Sequence, residues 1–474
     1  MSDALPLPPR PNLEQYKKRA KDLAKLCKSG DPAKLKAWAK DWIENLIKLY
    51  GLDVELPLEE RREYTPAQID YLAERSVRRI AKFLRTPDPS RANCTLAQAQ
   101  FVLARQHGFA SWPKFARHLE GLSQPRSPVS EFESAVDAIV NGDLSTLKKM
   151  LAKNPKLASA RSTREHGSTL LHYVSANGVE DFRQKTPKNI VEITRLLLDA
   201  GADVNAESGA YRGGSTVLGL TATSCHPEEA GVQLPLMELL MKYGADIDGD
   251  GGGNAVNDCL HNGRGDAAEL YASRGAKLDL EGAAGVGRLD VVKSFFEEDG
   301  SLKPSATRAQ MIDGFAWACE FGKTNVIDFL LNRGVSVDTR LKHDGQIGLH
   351  WAAYNGHVDS VRLLLERGSP VDFKDENYNG TPLGWALYGW GNAVERRGLG
   401  RYYKVVALLV RAGAKVDESW FVDDEDRQRA SRRAKSDKKM MAALAGELPG
   451  RRKRKQGRNG DAETGERGET RQKG

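Results

Sequence analysis

The chain of 474 residues is poor in cysteine: five are present, Cys27, Cys94, Cys225, Cys259 and Cys319, far apart and never as C-x-x-C. That excludes a disulfide framework or a cysteine zinc site, so reduced thiols in a cytoplasmic protein are expected. Long apolar runs are also missing. No window approaches the roughly 18 apolar residues a membrane-spanning helix needs. The opening MSDALPLPPRPNLEQYKKRA lacks a signal peptide's apolar segment, so secretion and membrane insertion are not expected. Aromatic residues make up only 7%, and neither sign of charge dominates, with 71 Lys and Arg against 64 Asp and Glu. With 40% hydrophobic and 28% charged residues the composition is globular, not disordered or collagen-like. A chain this long calls for about three domains or one elongated array.

What the chain does have is internal repetition. Aligned on a glycine, six segments share one pattern: LLLDAGADVNAE (196–207), LLMKYGADIDGD (239–250), LYASRGAKLDLE (270–281), FLLNRGVSVDTR (329–340), LLLERGSPVDFK (363–374) and LLVRAGAKVDES (408–419). Each reads as a helix end, a glycine suited to a left-handed cap and a short extended run. A second set lies upstream: STLLHYVSANG (168–178), STVLGLTATS (215–224), NAVNDCLHNGR (254–264), FAWACEFGKTN (315–325), GLHWAAYNGHVD (348–359) and TPLGWALYGWG (381–391). Gly201, Gly244, Gly275, Gly334, Gly368 and Gly413 are 43, 31, 59, 34 and 45 residues apart, which fits a unit of about 33 residues with insertions. The longest gap hides a degenerate copy, AAGVGRLDVVKSFFEEDGSL (283–302).

These segments resemble the ankyrin repeat, and GLHWAAYNGHVDSVRLLLERGSPVD (348–372) carries its pattern most fully. The resemblance spans about Ser130 to Phe421. It implies a mostly α fold, an ankyrin-repeat solenoid of about eight helix-turn-helix units with projecting β-turns. FESAVDAIVNGDLSTLKKMLAKNP (132–155) has the two helices without the leading turn, as expected of a terminal unit. Ala352 and Ala353 would let the first helix approach its neighbours, and Val361, Leu363, Leu364 and Leu365 would fill the space between units. His172 and His350 stand at the family's Thr-Pro-Leu-His position. With the family-consensus His357, the resemblance implies structural rather than catalytic roles for them.

Residues 12–122 show no repeat and read as a small, basic, all-helical domain. Its helices are interrupted at Gly30-Asp31-Pro32; another starts at Thr65 and Pro66, and two more are joined at Gly108. This segment resembles the helical module preceding the repeats in many bacterial ankyrin-repeat proteins, which implies a bacterial origin but no chemistry. SQPRSPVS (123–130) reads as a linker to the array at 130–421, and 422–474 as a polar helix followed by a disordered basic tail. The net charge of +7 divides into +8 for residues 1–127, −11 for 128–426 and +10 for 427–474.

Catalytic signatures are not found: there is no H-E-x-x-H, no G-x-S-x-G, no P-loop and no calcium loop ending in Glu. Asp246, Asp248, Asp250 and Gly251 to Gly253 read as an elongated repeat turn, since Gly and Asp accept positive φ. No catalytic residue, cofactor or metal is expected. The expected function is non-enzymatic protein binding on the array's concave face and turn tips. The partner-binding residues would be Glu320, Phe321, Tyr354, Asn355, Tyr388 and Trp390 at helix ends, with His343, Asp344, Tyr378 and Asn379 in the turns. Tyr354, Tyr378 and Trp390 are expected to be exposed, and Trp351 and Trp385 to pack between repeats. Three insertions, 179–189, 226–234 and 392–402, would go to surface loops. The alternative is weak, sequence-independent contact of Arg451, Arg452, Lys453, Arg454 and Lys455 with nucleic acid or another polyanion, aided by the N-terminal module.

Overall fold

A computed structural model of the chain describes residues 4–8, 11–49, 66–248, 254–341, 345–393, 398–416 and 433–448. Helices dominate, and the described strands are short: Glu207–Ser208 pairs antiparallel with Ser215–Thr216. No helix among the described residues is long and apolar enough to cross a membrane. The chain separates into two compact units, Met1–Val286 and Gly287–Gly474. The N-terminal helices therefore share a unit with the first repeats.

Unit 1 opens with helices Leu13–Leu26, Pro32–Leu49, Pro66–Leu84, Leu96–Gln106 and Trp112–Ser123. Their starts are chemically marked. Asn12 accepts from the amide of Glu14 at 2.8 Å, and Thr95 and Gln98 form a reciprocal capping box. Their apolar faces meet in a core that includes Leu23, Leu35, Trp42, Ile80, Leu103 and Phe115. His107 stacks on Phe115 with ring centroids 5.2 Å apart and contacts the Leu5 carbonyl through Nδ1 at 2.8 Å. Leu96 is exposed at the helix start. Ser127 caps and Pro128 begins the helix Pro128–Val140, so the stretch read as a linker contracts to the turn Gln124–Ser127.

The repeat glycines behave as their position requires. Gly201, Gly244, Gly275, Gly334, Gly368 and Gly413 have φ between +82° and +99°. The amide after each closes a Schellman-type cap, such as Ser369 to the Leu364 carbonyl at 2.9 Å and Ala414 to the Leu409 carbonyl at 3.0 Å. A Cβ at Gly368 would meet open space, so glycine is needed there for its backbone angle and not for room.

The histidines link neighbouring units. His172 Nδ1 accepts from the Thr169 amide at 3.1 Å, and its Nε2 meets the Ser215 carbonyl at 3.3 Å. His350 repeats this with the Ile347 amide at 3.2 Å and the Gly380 carbonyl at 3.2 Å. His357 Nε2 reaches back to the Glu320 carbonyl at 2.7 Å. Burial pushes His172 down to about 4, so it is a neutral donor-acceptor bridge at neutral pH.

The first insertion is only partly at the surface: Val179, Glu180 and Arg183 are buried, while Asp181, Lys185 and Lys188 are exposed. It places Glu180 and Arg183 in a buried charge network with Glu133 and Arg164. Arg164 lies 2.6 Å from Glu133 and 2.7 Å from Glu180, and Arg183 lies 2.6 Å from Glu133 and 2.8 Å from Asp137. Burial opposes ionisation of both glutamates, but the two guanidiniums outweigh it and hold the carboxyls well below the usual range. Arg164 also lies over the ring of Phe109, Glu165 pairs with Arg105 at 2.5 Å, and Thr163 bonds His118 at 2.7 Å. These contacts dock the N-terminal helices on the first repeat.

In unit 2 the helices Arg308–Glu320 and Thr324–Asn332, Gly348–Tyr354 and Val358–Glu366, and Pro382–Asn392 and Leu399–Arg411 form successive pairs. The described part of the C-terminal segment is not simply polar. Helix Lys438–Leu444 buries Met440 and Ala443, and Tyr403 donates to Asp437 at 2.6 Å. It covers the end of the unit, as terminal repeats require.

Candidate protein-binding surface

The site is built on two helices and one turn. Asp375 starts the turn and is buried. Its Oδ1 accepts from the amides of Asn377 at 3.1 Å and Tyr378 at 2.7 Å; its Oδ2 accepts from the Gly380 amide at 2.9 Å and Trp385 Nε1 at 3.0 Å. Burial opposes ionisation, and the bonds from Tyr378, Trp385 and Gly380 outweigh it, holding the carboxyl below its ordinary range. One carboxylate thus fixes both the turn and the indole beside it. Asn379 completes the turn at φ +51°, a conformation Asn tolerates better than most residues.

Thr381 caps the helix Pro382–Asn392, which presents Trp385 and Tyr388 one turn apart. A Cβ at Gly389 would collide with the Tyr354 carbonyl, so glycine permits close approach of this helix to Gly348–Tyr354. That approach sets Tyr354 against Tyr388, centroids 6.1 Å apart and 25° from parallel. Trp385 lies 5.3 Å from Trp351, 5.8 Å from Tyr354 and 6.3 Å from Tyr378, each near edge-to-face. The result is a contiguous aromatic surface. Tyr378 is 70% and Tyr388 58% exposed, while Trp351, Tyr354 and Trp385 are half-buried.

Not every expected residue belongs to this surface. Trp390, expected to be exposed, is 1% exposed. Its position on the helix turns it away from Tyr388, and Arg433 lies over its ring at 4.6 Å while donating to the Gly391 carbonyl at 3.0 Å. Trp390 is therefore a packing residue. Trp351 and Trp385, expected between repeats, do pack against each other across neighbouring helix pairs and, being half-buried, also form the middle of the surface. Asn355 is half-buried and donates to the Trp351 carbonyl at 3.4 Å; Phe321 is half-buried 6.4 Å from Trp317. Glu320 is half-buried and electrostatically coupled to Tyr354, and burial pushes its carboxyl up to about 7. His343 and Asp344 lie outside the described residues, as do Asp250 to Gly253 and Arg451 to Lys455. Among the described residues no group of three His, Cys, Asp or Glu could hold a metal ion.

Asp375 was missed by sequence reading. A signal for it exists in the run Asp375 to Pro382, where an acid begins a glycine-containing turn just before a Thr-Pro helix start.

No curated protein matches the chain. Residues 315–419 match the model of ankyrin repeats in three copies, and residues 166–208 match that of the ankyrin repeat. Ankyrin repeats generally mediate protein–protein interaction. The chain thus carries ankyrin repeats in both of its units, within a mostly helical fold.

Proposed function

We propose that the protein is a non-enzymatic scaffold that binds another protein on the surface formed by Trp351, Tyr354, Tyr378, Trp385 and Tyr388. The observation that carries this reading is the contiguity of these five rings, with Tyr378 and Tyr388 more than half exposed on a turn and helix fixed by Asp375. Such side chains supply contact area with little loss of rotamer freedom, and a prearranged support lowers the entropy lost on binding. Ankyrin-repeat proteins are generally non-enzymatic, and the reading extends that to this chain. All five thiols are free, including Cys27 and Cys94, which lie within hydrogen-bonding reach of each other, and free thiols favour a reducing compartment such as the cytoplasm.

The test is affinity capture on the full chain, quantified by mass spectrometry, beside the double variant Tyr378→Ala/Tyr388→Ala. A partner enriched by the native chain should be recovered at least about tenfold less by the variant, since exposed interface aromatics concentrate binding energy. Equal recovery of the same partners by a folded variant removes this surface from the account.

A further inference from the structure

Unit 1 has a groove of its own, about 660 Å³ in volume. That size suits a few residues of extended chain rather than a folded domain. At its mouth is the turn joining strands Glu207–Ser208 and Ser215–Thr216. Tyr211 and Arg212 in that turn have φ of +47° and +89°, ahead of Gly213 at +103° and Gly214 at +70°. Left-handed backbone is disfavoured for a tyrosine and persists where the surroundings enforce it. Here the Tyr211 hydroxyl donates to Asn177 Oδ1 at 2.5 Å, and the residue remains 62% exposed. The bond holds an aromatic ring beside the groove.

The floor is equally fixed. Gln233 Nε2 donates to the carbonyls of Thr221 at 3.0 Å, Ala222 at 3.1 Å and Ser224 at 3.0 Å, locking the corner between helices Val217–Thr223 and Cys225–Glu229. Ser224 at that corner lines the groove, is 3% exposed, and its hydroxyl has no hydrogen-bond partner. A buried hydroxyl left unpaired is unfavourable and is satisfied by a ligand that brings a partner.

The lining is also unbalanced in charge. Asp246, Asp248 and Asp258 face Arg264, whose guanidinium is already paired with Glu228. The Asp258 carboxylate sits on an exposed residue at the groove and has no hydrogen bond or ion pair among the described residues; partial desolvation raises its pKa, opposed by nearby His261. An incoming cation would pair with that accessible carboxylate.

We propose that this groove binds an extended peptide segment of a partner through an arginine or lysine side chain. The cation meets Asp258, with Asp246 and Asp248 adding to the field; the aliphatic stem lies against Tyr211; and a main-chain group pairs with the Ser224 hydroxyl. None of these residues belongs to the aromatic surface of unit 2, so the two sites stand or fall separately.

The experiment begins with a phage-displayed random dodecapeptide library selected on the full chain. Arginine or lysine should be enriched at one position of the selected consensus. Fluorescence anisotropy with that consensus peptide then gives affinities. Asp258→Asn should weaken binding about tenfold, as loss of a charge-assisted contact does. Asp258→Glu should restore most of it, and replacing the peptide's basic residue by Gln should match the loss. Tyr211→Ala, at an exposed position, provides a second weakening variant, and a circular dichroism melt of each variant verifies folding. Tyr378→Ala/Tyr388→Ala should leave the affinity unchanged. Selection without basic enrichment overturns the proposal, as does binding indifferent to both Asp258→Asn and Tyr211→Ala in folded chains. Binding lost only in the double tyrosine variant assigns the peptide to unit 2 and overturns it as well.

Discussion

In unit 1 the conspicuous polar feature is hidden: two glutamates and two arginines lie almost wholly out of water and pair with one another across the first repeat, its loop and the first insertion. In unit 2 the conspicuous feature is displayed: a set of aromatic rings left at the surface, with one buried carboxylate held by N–H donors and no cation. The same helical repeat carries both devices. Charge sealed inside fixes how parts of a unit fit together, because any other fit strands an ion. Aromatics held at the surface favour association with something else.

The sharpest way to break the comparison is Glu133→Ala. It leaves Arg164 and Arg183 short of a counter-ion and should cost about 3–5 kcal/mol, read by denaturant unfolding. Asp375→Ala in unit 2 orphans N–H groups and no charge, so it should cost less, about 1–3 kcal/mol. The reverse order would refute the contrast.

Within unit 2 the comparison is sharpened by two aromatics on one helix. Trp390→Ala should lose about 3–5 kcal/mol from a filled interior site. Tyr388→Ala should stay within about 0.5 kcal/mol and act on binding instead. Thermal melts of the two variants separate these outcomes.

Acid should loosen unit 1. Burial, aided for His118 by nearby Arg164, holds His118 and His172 at about 4, against about 6.5 in an unfolded chain. Between those values the unfolded chain binds more protons, so their stabilising contribution is complete above about pH 6.5 and lost on the way down to about 4. At pH 5.5 each should account for about 1 kcal/mol. The depressed glutamates Glu133 and Glu180 add their loss only at lower pH, below the ordinary glutamate range. Amide protection factors around 118–183, with rates corrected for the pH dependence of intrinsic exchange, should fall between pH 7 and 5.5, and unchanged protection factors would contradict the neutral-histidine assignment. At a repeat cap, Gly368→Ala should cost about 1–2 kcal/mol through its φ alone, read as a lowered melting temperature.

Much of the fold was legible in the sequence because the repeat reuses local chemistry. A glycine after each second helix forms the same cap wherever it recurs, and a histidine in the first turn makes the same bridge whether Thr169 or Ile347 stands three residues before it. The surface was legible only in part. Tyr378 and Tyr388 are exposed where the repeat pattern put them, whereas Tyr354, expected to be exposed, is half-buried and Trp390 is buried. Its ring is covered on one face by Arg433, far along the chain, and no local pattern encodes that contact. The buried network escaped for the same reason. Glu133, Arg164, Glu180 and Arg183 look like ordinary surface charges until the fold removes their water.

The most direct test of the central claim is hydrogen–deuterium exchange of the full chain with and without the partner that affinity capture supplies. The account predicts slowed exchange in peptides covering 348–354, 375–380 and 382–390 of the native chain, and none of that slowing in Tyr378→Ala/Tyr388→Ala. Protection confined to other segments, with these three unchanged, would contradict it.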